Sequence, residues 1–131
     1  MNHEQALSLL KETRLVAILR GIPVRQALDV AAALHDGGVR VLEFTFDHDD
    51  PDCIAHNCQR IRTVKKAFGD EMVVGCGTAL TVQEVEASVE AGGQIVISPN
   101  VDESVIAKTK ALGAISMPGA LTPTEIVTAY H

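Results

Sequence analysis

The sequence predicts an α/β domain built on a parallel sheet, and three observations support this. Short, almost wholly apolar runs alternate with longer segments whose apolar residues recur at helical spacing. Glycines follow most of the helical segments, and proline or a capping residue precedes several of them. The alternation repeats about five times without a linker or a break in composition. We therefore predict a single domain over residues 1–131, with right-handed crossovers between consecutive strands.

The first elements follow from hydrophobic periodicity and from helix signals. Residues 4–12 predict a short amphipathic helix, and residues 15–19 form an apolar run that is too short for a helix. Such a run is typical of a strand buried on both faces of a parallel sheet. Pro23 is suited to the first turn of the next helix, which ends at residues 37–38, both glycine. The second strand occupies residues 39–46.

The middle of the chain contains one more helix and the third strand. Asp50 is a candidate helix cap, and Pro51 is suited to the first helical position after it. We predict that this helix reaches Phe68 and that the third strand covers residues 72–78. The Thr-Val-Gln-Glu sequence at residues 81–84 is a capping box that begins the next helix.

The last elements repeat the same pattern. Residues 94–97 and 114–117 predict the fourth and fifth strands, and Asp102 caps the helix between them. A second capping box at residues 122–125 begins a final helix, which is predicted to continue to His131.

Glu43 is a carboxylate within the otherwise mostly apolar second strand. A buried charge is costly unless it is paired or has a function. One explanation is an ion pair with Arg20 or Arg40. The other is proton transfer, because burial raises the pKa of a carboxyl group towards neutrality.

Polar or special residues recur at the carboxyl ends of the predicted strands. In a (β/α)8 barrel these ends meet at one mouth, whereas in a doubly wound flavodoxin-like sheet only the ends near the switch point form a crevice. The distribution favours a TIM-barrel type of fold with about the first five βα units present, and the doubly wound five-strand sheet is the alternative. Each residue alone is also explained as a cap, a turn residue or an ion-pair partner. The residues are Arg20, Glu43, Thr45, Thr78, Pro99, Pro118 and Gly119.

Composition argues against several classes of function. The net charge of −6 does not fit nucleic-acid binding, and neither do the single Tyr and the absence of Trp. No apolar stretch is long enough to span a membrane, and the first residues do not resemble a signal peptide. The three cysteines have no disulfide framework spacing, so we predict free thiols and a cytoplasmic location.

Two other kinds of site are weakly indicated. Residues 47–50, together with Cys53 or His56, could supply metal ligands, but their spacing is not typical of zinc or calcium sites. We therefore predict no metal site. Cys76 is a candidate nucleophile without an identifiable base.

Five blocks of this sequence resemble the 2-keto-3-deoxy-6-phosphogluconate / 4-hydroxy-2-oxoglutarate aldolases. The resemblance covers the whole chain, with the blocks in the expected order and spacing. They are VAILR at residues 16–20, GGVRVLEFT at 37–45, GCGT at 75–78, ISP at 97–99 and MPGALTPTE at 117–125.

The resemblance implies a pyruvate-forming class I aldolase, a carbon–carbon lyase of the Entner–Doudoroff type of carbohydrate metabolism. Such enzymes are (β/α)8 barrels, usually trimeric, that cleave 2-keto-3-deoxy-6-phosphogluconate or 4-hydroxy-2-oxoglutarate through a lysine Schiff base without a cofactor. By resemblance, Glu43 is the acid/base. Arg20 and Thr78 match residues that hold the pyruvyl carboxylate, Pro99 lines the pocket, and Thr45 belongs with the substrate-binding residues.

The chain departs from this family pattern in two respects. The family often has arginine four residues after the glutamate, where this chain has Asp47. The Schiff-base lysine belongs on the sixth strand, whereas the lysines here fall on predicted helices. We therefore expect an incomplete barrel that is inactive alone. The alternative is a non-catalytic α/β binding or assembly module, since five strands leave two edges unpaired. The lysines are Lys11, Lys65, Lys66, Lys108 and Lys110.

Overall fold

A computed structural model describes residues 1–130, and His131, the predicted end of the last helix, lies outside the described residues. Five strands alternate with helices along the chain, as predicted. The strands are β1 (Ala17–Leu19), β2 (Val41–Thr45), β3 (Val73–Gly77), β4 (Ile95–Ser98) and β5 (Ile115–Pro118). The helices are α1 (His3–Thr13), α2 (Ala27–Asp36), α3 (Cys53–Phe68), α4 (Val82–Glu90), α5 (Glu103–Ala111) and α6 (Pro123–Tyr130).

The strands form one parallel sheet in the order β1-β2-β3-β4-β5. Each strand therefore pairs with its neighbour in the sequence, which confirms the predicted α/β class and parallel sheet. In the register, Glu43 of β2 lies opposite Ile18 of β1 and Gly75 of β3. Thr45 lies opposite Gly77, so Glu43 and Thr45 are on the same face of the sheet.

The two faces of the sheet contribute to two separate apolar clusters. The larger cluster contains Leu42 and Phe44 of β2 and packs beneath helices on one face. On the other face, Val41 joins the first residues of β3, β4 and β5 and packs against α1. Helix α1 therefore covers the amino-terminal ends of the strands on the face that carries Glu43. Glu43 and Thr45 lie further along β2, towards the carboxyl end.

Local side-chain caps begin three of the helices as predicted. Thr81 and Glu84 form the complete capping box of α4, and Thr122 and Glu125 exchange the corresponding bonds at α6. The carboxylate of Asp102 accepts hydrogen bonds from two backbone N–H groups at the start of α5. These caps give the helices defined first turns because they satisfy backbone donors that have no partner within the helix.

Two predicted helix starts are wrong by a few residues. The segment after Pro23 begins with a 3-10 turn, so that α2 starts at Ala27. Helix α3 starts at Cys53 rather than directly after Asp50. The Asp50 carboxylate accepts the N–H of Asp52 at 3.0 Å, and this local turn replaces the predicted cap.

No helix within residues 1–130 is long and apolar enough to cross a membrane. All three cysteines are free thiols, as predicted.

Candidate active site

Glu43 is the buried carboxylate of β2, with only 3% of its surface exposed. The Thr45 hydroxyl donates a hydrogen bond to Glu43 Oε1 at 2.9 Å. Oε2 is buried and has no hydrogen-bond partner among the described residues. Burial raises the pKa of Glu43, while the Thr45 hydrogen bond and the nearby Arg20 charge act in the opposite direction. The result is a carboxyl group with one oxygen fixed by a hydrogen bond and one without a partner, and with increased proton affinity.

Gly77 on the neighbouring strand provides the space that the Glu43 carboxylate occupies. A Cβ atom at position 77 would lie 2.0 Å from Glu43 Oε2 and 2.5 Å from Oε1. No side chain larger than hydrogen fits at this position while Glu43 keeps its conformation. The position of the carboxylate therefore depends on two strands, one that carries the acid and one that lacks a side chain opposite Thr45.

The ion-pair explanation of Glu43 is wrong for Arg40. The Arg40 guanidinium instead donates to the carbonyl groups of His35 and Val39, at 2.7 and 2.9 Å. Arg20 acts on Glu43 through its charge, yet the two form no ion pair within residues 1–130. Glu43 is thus available for a role other than structural pairing.

A cleft of about 300 Å³ opens at the carboxyl ends of β1, β2 and β3. It brings together Arg20 and Thr78, two of the residues predicted from the sequence. Thr78 has a left-handed backbone with φ of 56°, an uncommon conformation for a β-branched residue. Its hydroxyl has no hydrogen-bond partner in the described part of the chain. The cleft is lined by Arg20, Gly21, Phe46, Asp47, His48, Asp49 and Thr78.

Glu43, Thr45 and Pro99, the other predicted site residues, lie outside this lining. Thr45 is 5% exposed, and its hydroxyl is directed to Glu43. Pro99 is exposed after β4, and its carbonyl lies against Gly119, where an added Cβ would meet it at 2.5 Å. Their direct contact with substrate stays a prediction, whereas the contact of Thr45 with Glu43 is observed.

Two hollows of about 340 and 440 Å³ lie beside α1. They are larger than the cleft, but their lining includes none of the predicted site residues. We therefore place the candidate active site in the smaller cleft, where Arg20 and Thr78 meet next to the Glu43 strand.

His48 and Glu84 form a pair that sequence reasoning missed. His48 Nε2 lies 2.7 Å from Glu84 Oε1, and Glu84 is 3% exposed. The capping box identified Glu84 as a helix-start residue, but it gave no indication of a partner 36 positions earlier in the chain. The pair connects the loop after β2 to the start of α4.

Cys76 is not suited to nucleophilic catalysis. It is fully buried on β3, on the face opposite to Glu43, and burial raises the pKa of its thiol to about 12. A thiol with this pKa is almost entirely protonated at neutral pH. Among residues 1–130, no group of three His, Cys, Asp or Glu side chains converges as metal ligands would.

The model of the aldolase family described as KDPG and KHG aldolase matches residues 7–131. The chain belongs to the KDPG and KHG aldolase family. This assignment confirms the resemblance of the five sequence blocks.

Among individual KDPG and KHG aldolases, a probable 2-dehydro-3-deoxy-6-phosphogalactonate aldolase of Rhizobium meliloti is 36% identical over 90% of this chain. A structure of a 4-hydroxy-2-oxoglutarate/2-dehydro-3-deoxyphosphogluconate aldolase from TTHB1 is 30% identical, with a TM-score of 0.79 over 99% of this chain and 59% of its own. The KDPG aldolase of Legionella pneumophila, captured with pyruvate as a covalent carbinolamine, is 24% identical, with a TM-score of 0.74 over 88% of this chain and 52% of its own.

The chain spans about half the length of the curated KDPG and KHG aldolases that it matches, 53% of the Rhizobium protein and 54% of an Escherichia coli 2-dehydro-3-deoxy-6-phosphogalactonate aldolase. The shared half contains β1 to β5 and the cleft between Arg20 and Thr78.

Proposed function

We propose that this chain contributes the acid/base half of a pyruvate-forming class I aldolase. The supporting observation is the carboxylate of Glu43, which is buried, fixed through one oxygen by Thr45 and without a partner at the other. Cleavage of a carbon–carbon bond in a keto acid requires a group that takes a proton and returns it near neutral pH. The raised pKa of Glu43 suits that task.

Arg20 and Thr78 hold the pyruvyl carboxylate in this proposal. Both line the cleft beside β2, and the Arg20 guanidinium is the charged donor that an anionic substrate group requires. Asp47 lines the same cleft in place of the arginine that many members of the family have. Asp47 therefore cannot supply a second cationic contact to the carboxylate.

The Schiff-base lysine is the second half of the proposed machinery. All five lysines of the chain lie on helices: Lys11 on α1, Lys65 and Lys66 on α3, and Lys108 and Lys110 on α5. None of them lines the cleft. We propose that the amine comes from a residue outside this chain and that these 131 residues alone are inactive.

We further propose that the sheet is the first five-eighths of a (β/α)8 barrel. The consecutive strand order supports this architecture, since a flavodoxin-like sheet has the order 2-1-3-4-5. The polar residues at the carboxyl ends of β1, β2 and β3 also occupy the end of the sheet where barrels carry their active sites.

Borohydride trapping with pyruvate tests the proposed chemistry. The protein that contains this chain and the family lysine is expected to gain the mass of a reduced pyruvate adduct. The 131-residue chain is expected to gain none, although Lys65 and Lys108 remain present as internal controls for nonspecific labelling. Absence of an adduct on the longer protein would contradict the aldolase proposal. An adduct on the short chain would contradict the proposed inactivity.

Assembly with further polypeptide is a second function, favoured by exposed apolar side chains near both edges of the sheet. The edge strands are β1 and β5, where Ile18 is 67% exposed and Met117 is 38% exposed. Apolar residues at unpaired sheet edges are typical of surfaces that become covered. We propose oligomeric assembly, with a trimer as the family resemblance implies, and sedimentation equilibrium of the protein tests it. A monomer over the micromolar range would contradict it.

A further inference from the structure

Two side chains of α3 join the loop after β1 to the backbone of β2. The Arg60 guanidinium donates from Nε to the Ile22 carbonyl at 2.8 Å. Its Nη1 donates to Asn57 Oδ1 at 3.1 Å, and the Asn57 amide donates to the Phe44 carbonyl at 2.8 Å. These three hydrogen bonds, which we call the Arg60–Asn57 bridge, fix two separate backbone segments relative to each other.

Both ends of the Arg60–Asn57 bridge adjoin residues of the candidate active site. Ile22 follows Arg20 by two positions, and Phe44 lies between Glu43 and Thr45 on β2. Arg20 is exposed, so the placement of its guanidinium depends on where the backbone holds its Cα atom. The bridge therefore connects the backbone beside the proposed carboxylate-binding residue to the backbone beside the proposed acid/base.

The turn that carries Arg20 depends on a directional contact. Gly21 has a left-handed backbone with φ of 67°, and a Cβ atom added there would meet nothing within 4 Å. The next peptide ends in Pro23, which has no N–H group, so this peptide offers only the Ile22 carbonyl for hydrogen bonding. The Ile22 side chain packs against the larger apolar cluster, but apolar packing has no preferred direction. The bond from Arg60 therefore orients this peptide.

Arg60 is not explained as half of an ion pair. Within residues 1–130, no carboxylate forms a salt bridge with it. Its half-buried guanidinium instead donates to a loop carbonyl and to Asn57, which is itself fully buried. The fixed fork of a guanidinium can reach two acceptors at once, whereas a lysine ammonium is a single point donor on a flexible stem. The geometry thus uses the property that distinguishes arginine from lysine.

We propose that Arg60 is a positioning residue that acts through Arg20. Together with Asn57 it fixes the loop after β1 relative to β2, and so sets where the Arg20 guanidinium meets the pyruvyl carboxylate. This inference rests on the proposed aldolase function. Arg60 does not line the cleft, so its loss is expected to weaken the binding of pyruvate while Glu43 still transfers the proton.

Exchange of the pyruvate methyl protons with D2O, followed by proton NMR, tests this role in the protein that contains this chain and the family lysine. In the Schiff base, a base removes a methyl proton as the enamine forms, and a deuteron from solvent replaces it when the enamine is protonated again. A higher KM for pyruvate at constant kcat reports lost binding, and a lower kcat reports impaired proton transfer.

In Arg60→Met, the KM for pyruvate is expected to rise about threefold to tenfold, the effect of about one hydrogen bond. The value of kcat is expected to change less than about twofold, because Glu43 keeps its place on β2. KM does not depend on the fraction of the protein that is folded, so a loss of stability alone does not raise it.

Two further variants separate positioning from a general effect on α3. Arg60→Lys keeps the charge and one donor group, so it is expected to recover part of the wild-type KM. Arg62→Met is the matched control, since Arg62 is an exposed arginine of the same helix, and it is expected to leave KM unchanged.

A double-mutant cycle with Arg20→Met tests whether Arg60 acts through Arg20. Once the Arg20 guanidinium is absent, its position no longer matters. In the Arg20→Met background, Arg60→Met is therefore expected to change KM less than about twofold. Equal effects of Arg60→Met in both backgrounds would mean that it acts by another route.

The outcomes distinguish this inference from the proposed function. Exchange by the wild-type protein, together with an unchanged KM in Arg60→Met, would overturn the role of Arg60 alone. An equal rise in KM in Arg62→Met, or equal effects in the two backgrounds of the cycle, would also overturn it. If Arg60→Met does not fold, Arg60→Lys in both backgrounds provides the same comparison. Absence of exchange by the wild-type protein would overturn the aldolase function and this inference with it.

Discussion

The Thr45 hydroxyl lies 2.9 Å from Glu43 Oε1, two positions along the same strand and on the same face of the sheet. This hydrogen bond stabilises the ionised form of Glu43 and opposes the effect of burial on its pKa. Thr45 therefore adjusts the proton affinity of the candidate acid/base as well as its orientation.

Replacing Thr45 with valine is expected to raise the pKa of Glu43, because the donor that favours the carboxylate is lost while burial persists. Carbon-13 NMR of the Glu43 carboxyl group measures the change directly. In the active protein, the acid limb of the pH–rate profile is expected to move to higher pH, because Glu43 then becomes ionised only at higher pH. Thr45→Ser keeps the donor and is the control. An unchanged titration in Thr45→Val would contradict the tuning role.

Substitution of Gly77 by alanine is expected to displace the Glu43 carboxylate, because the new methyl group would lie 2.0 Å from Oε2. We expect a loss of activity of at least a hundredfold, since acid/base catalysis contributes about 10²–10⁴-fold. Gly37→Ala is the matched control, because its added Cβ meets neighbouring atoms no closer than 3.4 Å. Comparable activity in both variants would show that the carboxylate does not need this space.

Glu43→Gln is expected to make the protein more stable at neutral pH. Burial raises the folded-state pKa of Glu43 above its ordinary value of 4.5, so the folded state favours the protonated carboxyl group. The contribution of Glu43 to stability is therefore fully present below pH 4.5 and is lost as pH rises through the folded-state pKa. Each unit of elevation corresponds to about 1.4 kcal/mol. The gain of the amide variant should appear in urea titrations at pH 7 and vanish at pH 4. A variant less stable than wild type at pH 7 would refute this.

Asn57 anchors α3 to the strand that carries Glu43. It is fully buried, and its amide donates to the Phe44 carbonyl at 2.8 Å. Asn57→Ala removes this buried hydrogen bond between α3 and β2, so we expect a loss of about 0.5–1.5 kcal/mol in the free energy of unfolding. Urea denaturation measures this loss as a lower midpoint, and the m-value is expected to stay unchanged. Gln59→Ala, at an exposed position of the same helix, should change stability by less than about 0.5 kcal/mol.

Cys76 is expected to resist alkylation in the folded protein. Because burial raises the pKa of its thiol to about 12, the reactive thiolate is a minor form at pH 8. Iodoacetamide labelling followed by peptide mass analysis should therefore modify the partly exposed Cys53 before Cys76. Labelling in urea, where all three thiols are accessible, is the control. Rapid modification of native Cys76 would contradict its assignment as a core residue.

Local signals made most of the fold predictable from the sequence. The Thr81–Glu84 box and the Asp102 cap act within one helical turn, so their residues alone indicate where α4 and α5 begin. The predicted start of α3 is wrong because Asp50 has two competing local partners. Its carboxylate binds the Asp52 N–H and the His56 ring instead of capping a helix.

The candidate site was predictable only in part, because its contacts join distant parts of the chain. Glu43 was identifiable as a charge in an apolar run, and Arg20 and Thr78 as residues that follow strands. The space provided by Gly77 depends on the register between β2 and β3. The His48–Glu84 pair depends on how a loop packs against a helix start, which residue patterns along the chain do not encode.

The contact between Gly77 and the Glu43 carboxylate has an evolutionary consequence. Where related proteins keep an acidic residue at position 43, substitutions at position 77 should be purged, because any larger residue intrudes on Oε2. Where the acid has been replaced by a smaller residue, that constraint disappears and position 77 should drift freely. Paired variation at these two positions would therefore separate lineages that retain the proposed acid/base residue from those that have lost it.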